Sequence, residues 1–195
     1  MIGGFGADAI IGGASDDTLV GGPGADLLAG GAGVDTVDYS SATSFVNVSL
    51  CHKATPAAAS ATSATVSAIM TAWVGTSPVV CNTANDGMAG ELDQVTQIEH
   101  VIGSKYNDVL SGGSDPLAPE LVIEGRLGDD NITGGAANDE LWGDDGNDTV
   151  TGGAGDDVVH GDAGDDILDG GDGDGDICLW DSTDQTKTVN CEPNN

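Results

Sequence analysis

Positive charge is almost missing from this sequence. Of 195 residues only Lys53, Lys105, Arg126 and Lys187 are basic, against 33 acidic ones, for a formal net charge of −29. That argues against nucleic acid as a partner, because phosphate binding needs a basic face. It argues equally against an anionic membrane surface. Aromatic residues make up 4% of the chain, too few for a thick globular core. Any core must be thin and renewed turn by turn. Membrane insertion is not expected: the uncharged stretch 54–85 is dominated by Ala, Ser and Thr and broken by Pro56 and Pro78, unlike a spanning segment. Catalytic signatures are missing too. There is no HExxH and no GxSxG, and His52, His100 and His160 are scattered. The expectation is a protein that is not an enzyme. The four cysteines form no CxxC, which weakens a zinc or thioredoxin-type reading.

What the chain does have is glycine at fixed spacing. There are 32 glycines, and a merely solvated acidic chain has no need to space them. Nine-residue copies start at Gly3, Gly12, Gly21 and Gly30, then at Gly103, then without a gap at Gly125, Gly134, Gly143, Gly152, Gly161 and Gly170. The sixth position is Asp8, Asp17, Asp26, Asp35, Asp108, Asp130, Asp139, Asp148, Asp157 or Asp166, and Gly175 in the last copy. The eighth is always aliphatic: Ile10, Leu19, Leu28, Val37, Leu110, Ile132, Leu141, Val150, Val159, Leu168 and Ile177.

This spacing dictates a geometry. Positions seven to nine form a three-residue strand, and alternation points position eight inward. Positions seven and nine, among them Thr18, Glu140, His160 and Asp169, face outward. Positions one to six reverse the chain, and glycine permits the positive φ this needs. Two strands and two turns complete a coil, so residues 18 apart stack at about 4.8 Å. Asp8 then lies over Asp26, Asp17 over Asp35, Asp130 over Asp148 and Asp166, and Asp139 over Asp157. Asp35–Asp108 and Asp108–Asp130 add pairs if the stack survives the interruption between them; Asp157 has Gly175 as its next partner. Carboxylates about 5 Å apart repel by about 0.8 kcal/mol even in water. A hard divalent cation relieves this, and calcium, taking six to eight oxygens, suits carboxylates plus turn carbonyls better than magnesium does. Several calcium ions are expected, with these ten aspartates as metal ligands.

The copies resemble the RTX, or haemolysin-type, nonapeptide GGxGxDxUx, over residues 3–38, about 103–111 and 125–178. The stretches DTVDYSSATSFVNVSL and IEHVIGSKYNDVLSG also resemble linking segments within RTX arrays. The resemblance implies an all-β parallel β-roll, a β-solenoid with two nine-residue turns per coil, whose calcium-driven folding stabilises a secreted, extracellular bacterial protein. The alternative is a self-assembling filament or surface-layer subunit, stacking head to tail or associating through residues 54–85.

Four segments follow: repeats at 3–38, an insertion at 39–102, the main repeats at 103–178, and a C-terminal cap at 179–195. Within the insertion, SFVNVSL (44–50) alternates like a strand, and residues 57–74 fit either a helix packed on the roll or further β-structure. The cysteines pair best as Cys51–Cys81 and Cys178–Cys191, with free or crossed thiols as the alternative; bridges imply an oxidising compartment. The usual secreted RTX protein of the type I route has few cysteines, so the resemblance points here to export unfolded into an oxidising periplasm. The start on Met1-Ile2-Gly3-Gly4 fits a mature fragment, with further residues or another molecule against the first coil.

Overall fold

Short aliphatic strands joined by glycine turns can bury their apolar residues only by stacking, and the chain does so. The computed structural model describes residues 1–50, 83–84, 93–113, 118–180 and 189–191. Its strands are β1 (Ala9–Gly13), β2 (Thr18–Leu19), β3 (Leu27–Gly31), β4 (Thr36–Asp38), β5 (Asn47–Ser49), β6 (Thr83–Ala84), β7 (Asp93–Thr96) and β8 (His100–Ile102). They continue as β9 (Val109–Ser111), β10 (Val122–Glu124), β11 (Asn131–Thr133), β12 (Glu140–Trp142), β13 (Thr149–Ala154), β14 (Val158–His160), β15 (Ile167–Asp172) and β16 (Ile177–Leu179). No helix occurs among the described residues.

The strands form a parallel β-solenoid. One face is a single sheet in the order β2-β4-β8-β10-β12-β14-β16. The other face is divided into β1-β3-β7-β6 and β5-β9-β11-β13-β15. Every pairing is parallel except β6 with β7. The regular coils keep the 18-residue register, as in Ala9↔Leu27, Glu140↔Val158 and Thr149↔Ile167.

The core is two facing columns of single side chains. Leu19, Val37, Val101, Ile123, Leu141, Val159 and Cys178 line the first face. Ile10, Leu28 and Val95, then Val48, Leu110, Ile132, Val150 and Leu168, line the second. All are buried. Each parallel strand contributes one such residue, and burial of a Leu, Ile or Val side chain is worth about 1.5–3 kcal/mol.

Two expectations change. The first is the final repeat, where the register is 19: Val158 pairs Ile177 and Val159 pairs Cys178. The inward residue is therefore Cys178 at 1% exposure, and Ile177, expected inside, is 41% exposed. The extra residue in GGDGDGDIC causes the slip, and alternation turns a one-residue slip into a change of face. The second is the extent of the interruption. From the 39–102 stretch, β5, β7 and β8 are strands of the roll, because Val48, Val95 and Val101 each supply the same central apolar residue.

The C-terminal end of the array carries the expected Cys178–Cys191 disulfide. It holds Val189, which bridges to Asp169, and Asn190, whose side-chain amide donates to Asp169 Oδ1 at 2.9 Å. The Cys51–Cys81 bridge, the helix or β-structure of 57–74, and most of the 54–85 surface lie outside the described residues.

Candidate metal centre

Most turns end in an acidic residue two positions before the inward apolar one. These side chains form a ladder along each edge of the roll. On one edge, Asp8 N–H donates to Asp26 Oδ1 at 2.8 Å and Asp26 N–H to Asp93 Oδ1 at 2.8 Å. The same edge resumes with Val46 N–H to Asp108, Asp108 to Asp130, Asp130 to Asp148 and Asp148 to Asp166, at 2.6–2.8 Å. On the other edge, Asp17 donates to Asp35 at 2.9 Å and Asp35 to Glu99 Oε2 at 2.9 Å. Leu121 then donates to Asp139, Asp139 to Asp157, and Asp157 to Asp176, at 2.7–2.9 Å.

The 18-residue stacks and Asp108–Asp130 are present, Asp35–Asp108 is not, and three rungs come from outside the aspartate column of the repeat. Asp176, not Gly175, follows Asp157, so the expected gap there is closed by the same one-residue slip that turns Cys178 inward. Asp93 follows Asp26. Glu99 follows Asp35, which overturns the Asp35–Asp108 pair: those two residues lie on opposite edges. Asp93, Glu99 and Asp176 could have been found from one signal, an acid two residues before a strand's buried centre, as in DQV, EHV and DIC. Leu121 and Val46 occupy the same rung position with apolar side chains.

From Asp26 and Asp35 onward, one carboxylate oxygen of each rung is thereby satisfied. On Asp108 and Asp139 the second oxygen is taken as well, by the N–H of Ser104 and of Gly135. On seven rungs it is bare. Oδ2 of Asp8, Asp17, Asp35, Asp130, Asp148, Asp157 and Asp176 is buried with no hydrogen-bond partner, although a buried carboxylate oxygen is costly to leave bare. Burial pushes the carboxyls of Asp130 and Asp148 up to about 7 and that of Asp157 up to about 6. Burial also raises Asp35, Asp108, Asp139 and Glu99.

The turns leave room for these oxygens by having no side chain at position one. A Cβ on Gly12 would meet the carbonyl oxygen of Gly30 at 2.5 Å and Asp17 Oδ2 at 2.8 Å. Later in the turn, Gly155 adopts a φ of 127°, a region closed to other residues without strain. Carbonyl oxygen, bare carboxylate oxygen and glycine therefore converge coil after coil. Among the described residues no three Asp, Glu, His or Cys side chains come together as a metal site. A cation here must draw on carbonyls as well as carboxylates, which is the chemistry of calcium and not of zinc.

A second, exposed ladder runs outside the first. Asn147 donates to Asp129 Oδ1 from its backbone at 3.0 Å and its side chain at 3.1 Å. Asp165 N–H donates to Asn147 at 3.1 Å and Asp156 N–H to Asn138 at 3.0 Å. The two Asn147 donors hold the Asp129 carboxyl below its ordinary value, and the ladder links turns without a cation. Of the histidines, His160 is half-buried: its ring stacks on Trp142 at 3.5 Å with 8° between planes.

The sequence model of the RTX calcium-binding nonapeptide repeat matches the chain four times, over residues 2–37, 96–115, 122–150 and 142–177. No curated protein matches the chain. The four matches span more than half of the sequence and fall on the coils that carry the ladders, so the chain belongs to the RTX calcium-binding nonapeptide-repeat family.

Proposed function

We propose that the two ladders are rows of calcium sites and that the protein is a folding and stability element of a secreted bacterial protein. The observation that carries this reading is the repeated buried carboxylate oxygen without a partner, facing a turn carbonyl. Asp8, Asp17, Asp26, Asp35, Asp108, Asp130, Asp139, Asp148, Asp157 and Asp166 are the ligands proposed from the motif, joined by Asp93 and Asp176 from the geometry. Calcium supplies the positive charge that two stacked carboxylates lack. The protein supplies the oxygens, the glycine turns that let them approach, and the apolar columns that fix the coil spacing.

Folding is then linked to the ion. A metal that binds only the folded state stabilises it by mass action. Where calcium is scarce the net charge of −29 holds the chain open; where it is abundant the coils close. RTX repeats are typical of secreted bacterial proteins, and the Cys178–Cys191 bridge fits an oxidising compartment. The role is structural, with no chemistry performed on a substrate. Far-ultraviolet circular dichroism during a calcium titration above about pH 7 tests this: β-structure should appear cooperatively with calcium and vanish in EGTA. A spectrum indifferent to EGTA would overturn the reading.

A further inference from the structure

The edge ladder crosses the insertion at Asp35, where the repeat motif ends. Asp35 is 0% exposed, and its Oδ2 has no hydrogen-bond partner. In the regular coils a Cβ on the first glycine would run into both this oxygen and the carbonyl of the next coil's first glycine: Gly30 beside Asp17, Gly152 beside Asp139, and Gly170 beside Asp157. No glycine follows Asp35 in that place. Gln97 does: a Cβ on Gly30 would run into both the Gln97 carbonyl oxygen and Asp35 Oδ2. Gln97 sits in the left-handed region at φ 55°. Two residues on, Glu99 accepts the N–H of Asp35 at 2.9 Å, just as Asp35 itself accepts the N–H of Asp17 at 2.9 Å. Carboxylate, carbonyl and second carboxylate thus recur in regular order, with none of the next coil's groups drawn from a glycine–aspartate nonapeptide.

We infer that Asp35, the Gln97 carbonyl and Glu99 form a further calcium site at the seam of the insertion, with glutamate in place of the rung aspartate. It rests on the proposal that the ladders bind calcium. Glutamate reaches one methylene further than aspartate, and a calcium shell of six to eight oxygens at flexible angles tolerates that change. The row on this edge then runs unbroken from Asp17 to Glu99, and stops at Leu121, whose side chain has no oxygen.

Isothermal titration of the full chain with calcium, run beside Glu99→Gln and Asp148→Asn, tests the site. Glu99→Gln should bind one ion fewer than the parent while keeping its β-structure in calcium. Crystals of the unaltered calcium-loaded protein give a second measurement, independent of whether the variant folds. An anomalous peak between Asp35 and Glu99 supports the site. Peaks at Asp130–Asp148 with none at Asp35–Glu99, or an unchanged ion count in Glu99→Gln beside a reduced one in Asp148→Asn, would overturn it alone. No calcium uptake by any of the three proteins would overturn the ladder reading itself.

Discussion

At the scale of the residue, the aspartate of each rung has two separate tasks. On Asp148, Oδ1 accepts an N–H from the preceding coil, which any carboxamide could also do, while the bare Oδ2 is the part proposed to take calcium. Asp148→Asn separates them. The amide retains an acceptor for Asp130 N–H and removes a charge between Asp130 and Asp166. In calcium the variant should bind at least one ion fewer by titration calorimetry. In EGTA it should be the less unstable of the two proteins, by about 1 kcal/mol, since each removed repulsion is of that order. Backbone strain offers a second check. Arg126, Asp144 and Asp162 stand at φ 84°, 69° and 63°, at the repeat position where other copies carry glycine. Asp162 is exposed, and Asp162→Gly should raise stability by up to about 1 kcal/mol in thermal denaturation with calcium present, because glycine visits this region without the Cβ clash.

At the scale of the element, the strand is three residues around one inward side chain, and register decides which residue that is. Ile132 is fully buried and Ile177 is 41% exposed, although both occupy the eighth position when the sequence is cut into nines. Ile132→Ala should therefore cost about 2–5 kcal/mol, whereas Ile177→Ala should stay within about 0.5 kcal/mol. Equal losses on chemical denaturation in calcium would refute the slipped register. The outer face carries its own contact where Trp142 and His160 stack. Trp142→Ala should cost about 0.5–1.5 kcal/mol beyond the area it uncovers, read from the same melts.

At the scale of the whole molecule, the proposed link between calcium and folding makes stability depend on pH. Burial raises Asp130 and Asp148 to about 7 and Asp157 to about 6, above their unfolded value near 3.8. A carboxyl raised on folding favours the folded state when protonated. The calcium-free roll should thus be most stable near pH 4 and lose stability as the pH rises to about 7. With calcium the order reverses, since the ion requires the carboxylates and displaces their protons. Thermal melts at pH 5 and pH 8, with calcium and with EGTA, check both signs. Much of this was legible in the sequence. The repeat of nine fixes strand length, inward residue, turn glycine and the 18-residue stack, since all are local consequences of alternation and of glycine's freedom at φ. Those rules therefore determined the roll and the edge positions of the ten motif aspartates, and they point to calcium as the ion. Only the tertiary structure decided what happens where the count of nine fails. Asp93 and Glu99 enter the ladders from outside the motif, and an added residue brings Asp176 and Cys178 into place. The physical reason is that a coil is recruited by whichever nearby segment can bury an apolar side chain in the column and offer an oxygen at the edge, a condition on space that spacing in the chain does not state.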